Sequence, residues 1–476
     1  MKNNYMQTKI VCTIGPASNN EETITRLVQA GMNVARLNFS HNTHQYHQET
    51  IKIIKKVREK LHAPVAILLD TKGPEIRLRT FAEGSVVLEK GQTFTLTTRE
   101  VEGTAEICTI SYADLPRQLD VGTNILIDDG KLRLEVEEIA DTDIICKVLV
   151  GGKVSNRKSI NIPNVHLDMP YLSPADEADL IFGIEQDVDF IAASFVRCKE
   201  DATTIRKFIN YHGGHKIRII SKIENIEGVD NFDEILKVSD GIMVARGDMG
   251  VEVDFEKLPG IQKKFIRRCY QAGKMVITAT QMLESMIHST TPTRAEITDV
   301  ANAVFDGTSA VMLSGETAVG DHPVHVVEVM AKIARQAERD AFEMGVYRGL
   351  QHENDFSNTT NAICDAACKA ANDLHASAII AVTKSGETAR RVSKFRPDIP
   401  IVAATPDEKT FHQLALSWGV FPVLSLSQND TDTLFRHAID CAKQIDVVDS
   451  GDKVVITGGV PLNLPGYTNI LKVQTV

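Results

Sequence analysis

What most constrains this chain is a series of eight short apolar runs rich in β-formers, each closed by Gly, Pro or a polar cluster. They are KIVCTI (9–14), NVARLNF (33–39), VAILLDT (65–71), VDFIAASF (188–195), RIISKIE (218–224), GIMVARG (241–247), MVITATQ (275–281) and SAVMLSG (309–315). Between most of them lie amphipathic stretches of ordinary helix length, such as 44–62 and 254–272. The change of period from strand to helix and back predicts parallel βαβ units, and eight units close naturally into a TIM (β/α)8 barrel. A doubly wound open sheet shares the alternation, because counting strands does not by itself prove closure.

The interval between the third and fourth runs is far too long for one helix. Residues 72–169 contain alternating segments such as QTFTLTT and NILIDDGKLRLEVEEI with turn signals between them, which predicts an inserted small β-barrel domain. It leaves from the carboxyl end of the third strand, the end where a barrel carries its active site, and is therefore placed to act as a lid. The barrel then comprises 1–71 and 170–345, closing with a long helical stretch of about 322–345. The polar segment GLQHENDFSNTT (349–360) reads as a linker to a C-terminal α/β domain over 355–476. Its expected strands are SAIIAVT (377–383), PIVAAT (400–405), VFPVLSL (420–426), KVVITGG (453–459) and NILKVQTV (469–476), an open sheet with covering helices.

Composition narrows the function classes. With 43% hydrophobic and 24% charged residues over 476 positions, the chain can bury sizeable cores in two to four domains. No stretch approaches the roughly 18 apolar residues of a membrane span, and MKNNYMQTKIVCTIGP lacks a signal-peptide apolar core, so a cytoplasmic location is expected. The eight cysteines show no CxxC spacing, which suggests neither a disulfide framework nor a zinc site. Cys364 and Cys368 fall at i, i+4 in an Ala-rich helical stretch and read as buried small side chains rather than metal ligands. A formal charge of -11 argues against general nucleic-acid binding, so an anionic ligand would need locally concentrated basic residues.

In a TIM barrel the carboxyl ends of the strands converge on one mouth, and here they are rich in charge. The second run ends Arg36-Leu37-Asn38-Phe39-Ser40-His41, in which Arg36, Asn38 and Ser40 alternate onto one face; Arg36 in a structural ion pair is the plainer alternative. The third ends Asp70-Thr71-Lys72-Gly73-Pro74-Glu75-Ile76-Arg77, a dense run of charge at the exit into the insertion. Lys222 and Glu224 share one side of the fifth strand. Asp248 follows Gly247 just past the sixth, where glycine allows close backbone approach to a ligand. Two carboxylates converging from adjacent strands suit a hard cation such as magnesium, and a lysine beside them could neutralise a transferring phosphoryl group. A buried Lys222–Glu224 salt bridge explains that pair equally well on its own. Of Thr278 and Thr280 in the seventh run, only Thr280 is near enough to the end to reach the mouth.

Taken together, TKIVCTIGP, ARLNFSH, LLDTKGPEIR, SKIEN, MVARGD, ITATQM, TPTRAE and DVANAVFDGT occur in an order and spacing that resembles the pyruvate kinase family over essentially the full length. The resemblance is to bacterial members without a long N-terminal domain. It implies phosphoryl transfer from phosphoenolpyruvate to ADP, giving pyruvate and ATP, with magnesium and potassium as cofactors and a homotetrameric assembly. It also implies residue roles. Arg36 looks like the grip on the substrate phosphate, Lys222 the transition-state stabiliser, Glu224 and Asp248 the magnesium ligands, and Gly247, Asp248 and Thr280 substrate positions. Asn38, Ser40, Asp70 and the carbonyl of Thr71 resemble the potassium ligands, while Asn38, Phe39, Ser40, His41, Arg77 and Lys158 match nucleotide-contacting positions. In the family a lysine in place of Glu75 accompanies potassium independence, so Glu75 implies dependence.

Two departures stand out. Asn42 follows His41 where the family usually has glycine, so an adjusted turn is expected. The segment Thr383-Lys384-Ser385-Gly386-Glu387-Thr388 matches the family's loop for a phosphorylated effector, but Glu387 adds a negative charge. With no Arg or Lys in the facing segment 458–466, the loop is expected to prefer a monophosphorylated activator to a bisphosphate. Two other functions share parts of this pattern: another phosphoenolpyruvate- or pyruvate-handling TIM-barrel enzyme, such as an aldolase with a divalent metal, and a catalytically silent metabolite sensor.

Overall fold

The computed structural model describes residues 5–347, 358–428, 430–462 and 467–476. Most of the expected linker 349–360 lies outside these residues; helix Thr359–Asp373 begins at its end. Each of the eight runs forms one strand: β1 (Lys9–Thr13), β2 (Met32–Asn38), β3 (Ala66–Asp70), β4 (Phe190–Ala193), β5 (Arg218–Ile223), β6 (Gly241–Ala245), β7 (Met275–Ala279) and β8 (Ala310–Leu313). They pair in sequence order and β8 returns to β1, with Cys12 opposite Leu313, so the sheet is a closed parallel barrel and the open-sheet alternative is excluded. The strands are buried on both faces, as a parallel barrel wrapped by helices requires. Val11, Val34, Leu68, Phe190, Ile220, Met243 and Ile277 belong to one buried cluster, which Ala415 and Leu416 of the C-terminal domain join. That domain docks at the amino ends of the strands, where Gly419 N–H donates to Gln7 O (2.9 Å) and Lys9 Nζ to Val420 O (2.8 Å). The opposite end, carrying the charged residues, is left to the inserted domain.

The insertion is a seven-stranded sheet with its own core, including Phe94, Leu96, Ile125, Leu134 and Cys146. Its edge strands Ile76–Arg77 and Ile107–Thr109 are joined by the bridge Leu78–Ile110 and by Ser111 N–H to Arg77 O (2.9 Å) and Arg79 N–H to Thr109 O (2.8 Å). These contacts wrap the sheet into the small barrel that the alternation predicts. The insertion rests on the helix after β6, where Asn161 Nδ2 donates to Glu252 Oε1 (3.0 Å).

The C-terminal domain forms β9 (Ala378–Val382), β10 (Ile401–Thr405), β11 (Val420–Leu424), β12 (Lys453–Gly458) and β13 (Ile470–Thr475), ordered β11-β10-β9-β12-β13. Only β13 is antiparallel. Cys364 is buried and Cys368 largely so in helix Thr359–Asp373, with their thiols pushed up by burial, as expected of packing residues. Among the described residues no helix is long and apolar enough to cross a membrane.

The exit from β3 turns on Gly73, which has φ 72° and donates its N–H to Asp176 Oδ1 (3.0 Å). A Cβ there would lie 2.7 Å from the carbonyl oxygen of Ser194, in a left-handed backbone that side chains resist. Gly73→Ala is expected to lower unfolding free energy by about 1–3 kcal/mol. Urea midpoints of the two proteins give the check, and equal midpoints would remove the hinge constraint.

Candidate active site

Asp70 is the centre of the mouth. It ends β3 with its side chain 1% exposed, and no carboxylate is buried this deeply without partners. Arg36, two residues before the register partner of Asp70 on neighbouring β2, donates Nε–H to Asp70 Oδ2 (2.6 Å) and Nη1–H to Thr13 Oγ1 (2.9 Å). Lys222, near the end of β5, reaches Asp70 Oδ1 (3.0 Å), Ser194 Oγ (2.7 Å) and Glu224 Oε1 (3.0 Å). Burial pushes the Asp70 carboxyl up, but the two cations outweigh it and hold the group below the usual carboxylate range. For Lys222 burial opposes the charge, and Asp70 and Glu224 more than offset it, so the ammonium stays protonated. Both plainer readings of the sequence are therefore present as geometry: Arg36 and Lys222 are in buried ion pairs, and those pairs face the mouth.

Glu224 carries the opposite imbalance. It lies just beyond β5 with its side chain 1% exposed. Its Oε2 accepts the Phe195 N–H at 2.6 Å, a contact made possible by Phe195 adopting φ 53°. Burial, opposed by Lys222 and reinforced by Asp248 and Asp70, pushes its carboxyl up to about 8. Asp248 stands in the first turn of helix Arg246–Glu252 and acts on both Glu224 and Lys222. Two repelling carboxylates, one of them desolvated, fit a divalent cation that would hold both as anions. Among the described residues no group of three or more His, Cys, Asp or Glu side chains could enclose a metal, so such an ion would take its remaining ligands from substrate or water.

Thr280 is strained. It follows β7 with φ 67° and Gln281 with φ 54°, a conformation unfavourable for a β-branched residue. Arg246 holds the turn, with Nη2 to Thr280 O (2.6 Å), Nε to Ala279 O (3.2 Å) and an ion pair to Asp299 (2.7 Å). In this turn Thr280 Oγ1 accepts the Gly247 N–H (2.8 Å) and donates to Ala279 O (2.6 Å). Thr278, by contrast, is fully buried against the Thr308 hydroxyl (2.9 Å).

The turn after β2 is set by Ser40 N–H to Asn38 Oδ1 (3.1 Å), and Asn42 adopts φ 67°. Asparagine tolerates that region, so the residue found where family members have glycine needs no altered turn. The Phe39 side chain is buried and stacked on His47 at 4.1 Å. Arg77 ends one lid strand and Lys158 immediately precedes its neighbour Ser159–Asn161, with Arg77 lying opposite Ser159. In this state they pair with Glu75 (2.8 Å) and Asp128 (2.7 Å) respectively. The groups acting on Glu75, besides burial, are Arg77, Asp248 and Asp129.

Reasoning from sequence missed Ser194, just past β4 in VDFIAASF, which sits at the middle of the cluster. Its hydroxyl bonds to Thr71 O (2.6 Å) and Asp70 Oδ1 (3.1 Å) while accepting from Lys222. The signal was available as a polar residue at a barrel strand end. Phe195, Thr13 and Arg246 were missed too, and only the three-dimensional contacts single them out.

In the C-terminal domain the loop after β9 lines a cavity of about 410 Å³ with Thr383, Lys384, Ser385, Thr388 and Gly459. Gly386 is not among the lining residues, and its N–H is taken by Thr383 Oγ1 (3.0 Å), while the Thr388 hydroxyl pairs with that of Thr468 (2.9 Å). Glu387 is neutralised by Arg391 (2.6 Å) and Arg390 (3.5 Å), which weakens the expectation that it repels a dianion. Residues 463–466 of the facing segment lie outside the described residues.

A closed βα barrel with cations and carboxylates converging under a lid suits a phosphoryl-transfer enzyme. Comparison with known proteins makes this specific. Residues 5–327 match the family model "Pyruvate kinase, barrel domain" and 361–474 match "Pyruvate kinase, alpha/beta domain". The chain is 50% identical to a pyruvate kinase of Clostridium acetobutylicum over 99% of both chains, and 45% identical to one of Clostridium perfringens over 99% of this chain and 100% of the other. A solved pyruvate kinase from Cryptosporidium parvum superposes with a TM-score of 0.93 at 41% identity, covering 99% of this chain and 96% of that one. The chain belongs to the pyruvate kinase family, and its reaction is phosphoryl transfer from phosphoenolpyruvate to ADP.

Ser194→Ala, which removes the hydroxyl joining Lys222, Asp70 and Thr71, is expected to lower kcat roughly tenfold, the scale of one buried hydrogen bond of about 1–1.5 kcal/mol. Steady-state kinetics give the check; unchanged kcat and KM would make Ser194 a bystander.

Proposed function

We propose that the mouth divides the reaction among its residues as follows, and the observation that carries this is Lys222 held by three partners beside the Glu224–Asp248 pair. Arg36 keeps Nη2 free of any partner among the described residues and offers it to the phosphate of phosphoenolpyruvate. Lys222 has three ammonium hydrogens and three oxygen partners, so it meets a phosphoryl group by exchanging one of them. Glu224 is the natural one to release, because burial already disfavours its charge and a cation would take it over. Glu224 and Asp248 would hold magnesium, which supplies positive charge to the transferring group and substrate oxygens. Arg77 and Lys158, on the lid, change partner from Glu75 and Asp128 to the nucleotide phosphates, so that closing the lid brings the second polyanion in neutralised.

Transfer leaves enolpyruvate, which must gain a proton at carbon. The Thr280 hydroxyl is an alcohol and a poor acid; its role is to position that proton through water, in a turn fixed by Arg246. Potassium would take Asn38 Oδ1, the Ser40 hydroxyl, Asp70 and Thr71 O, a set of hard oxygen donors. The aldolase and silent-sensor readings each leave the lid cations or the Lys222 cluster without a task. The loop 383–388 is the proposed effector site, and Lys384, its single lining cation among the described residues, continues to favour one phosphate over two.

Lys222→Met is expected to reduce kcat a hundredfold or more, the usual scale of one preorganised electrostatic contact, with a smaller change in KM for phosphoenolpyruvate. A coupled assay of pyruvate formation measures both, and near-normal kcat with raised KM would reject the role.

Glu75→Lys is expected to reduce the requirement for potassium by supplying positive charge covalently. Rates in potassium and in tetramethylammonium test it. Full wild-type activity in tetramethylammonium would contradict potassium dependence, and an unchanged potassium ratio in the variant would contradict the role of Glu75.

A further inference from the structure

A cavity of about 670 Å³ lies between the barrel and the C-terminal domain. It is bordered by the amino end of β5, the chain around 237–240 and 272–274, the helix after the 383–388 loop, and residues 407–413. On a chain of net charge -11, nine Lys and Arg side chains line this cleft against three acidic ones. Lys237 and Lys409 have acidic partners outside it, Glu234 and Asp187, yet seven cations then still face Asp240, Glu387 and Asp407.

The excess is concentrated at one point. Arg218 from the barrel (Nη2, 3.4 Å) and Arg390 from the C-terminal domain (Nη2, 2.7 Å) converge on the carbonyl oxygen of Ser385. Asp240 is shared between Arg218 and Arg206, and Glu387 between Arg390 and Arg391. Each carboxylate therefore serves two guanidiniums. The Arg390 side chain is 7% exposed, and burial together with the charge of Arg218 pulls its guanidinium down to about 9. Such a group is short of negative charge. Lys384 has no hydrogen-bond or ion-pair partner for its side chain among the described residues and borders the same cleft.

We propose that this cleft is a second anion site, next to the effector-loop cavity with which it shares Lys384, Ser385 and Glu387, that binds a small phosphorylated molecule carrying at least two negative charges. Its volume is in the range of small-molecule sites and admits a ligand up to the size of a nucleotide. Two guanidiniums at one carbonyl, with several lysines lining the same cleft, suit phosphate oxygens, which accept from guanidinium in pairs. The occupant would tie the two domains together, since Arg206, Lys216, Arg218, Lys237 and Lys274 come from one and Lys384, Arg390, Arg391 and Lys409 from the other. Arg218 opens β5, the strand that also carries Lys222. The site does not depend on the roles given above to the catalytic residues.

Lysine-selective labelling followed by mass spectrometry, with pyrophosphate as the probe, locates the anion residue by residue. Lys216 and Lys237 line only the cleft, and their side chains are 70% and 69% exposed, hence reactive in the free protein. Saturating pyrophosphate is expected to slow labelling of both at least fivefold, in the wild type and equally in Ser427→Glu, which puts a carboxylate in the effector-loop cavity alone. Arg391→Gln should raise the half-protecting concentration roughly fivefold, as for loss of one charge-assisted contact. Protection of Lys158 without Lys216 and Lys237 would confine the anion to the active site and overturn the proposal. Protection abolished by Ser427→Glu, or insensitive to Arg391→Gln, would overturn it as well.

Discussion

A carboxylate with 1% of its side chain exposed, Asp70, organises the catalytic end of this molecule. Its burial is tolerable only because Arg36 and Lys222 reach it from strands on either side, and those contacts fix the two cations. Ser194 and the Thr71 carbonyl complete the arrangement, and Gly73 must lie against Ser194 to let the chain leave for the lid. Catalytic positioning, lid placement and local stability thus rest on one set of contacts. A buried charge left unpaired here would cost several kcal/mol, which gives the cluster a structural reason to hold its geometry before any substrate arrives.

Beside this balanced cluster stands an unbalanced one. Asp248 repels the buried Glu224 carboxylate, and Lys222 only partly offsets the combined effect. A site satisfied on one side and short of positive charge on the other is preorganised for a cation and a polyanion together. Strain at Thr280 and Gln281, held by Arg246, belongs to the same economy of a rigid frame supporting unfavourable local states. The interdomain cleft reverses the sign, with guanidiniums in excess around the Ser385 carbonyl.

The fold was legible because strand and helix periods alternate over eight units, and a break in that period marked the insertion. Closure was not legible, since pairing of β1 with β8 joins residues about 300 positions apart and leaves no local trace. At the site, strand-end position was enough to select Arg36, Asp70, Lys222, Glu224, Asp248 and Thr280. Ser194 escaped because a serine in an apolar run has no charge to draw notice, and the stacking of Phe39 on His47 was not legible because only packing decides which way a strand-end side chain turns. The cationic cleft was hidden for the same reason as closure: its charges come from distant segments of an acidic chain.

The claim that Asp70 and Lys222 act as one unit is tested most directly by a kinetic cycle of Asp70→Asn, Lys222→Met and the double variant, read as kcat/KM for phosphoenolpyruvate. Residues that work only together lose nearly everything on the first substitution. The account expects the double variant to be no worse than the poorer single one; losses that multiply would mean that the two residues contribute independently, and would contradict it.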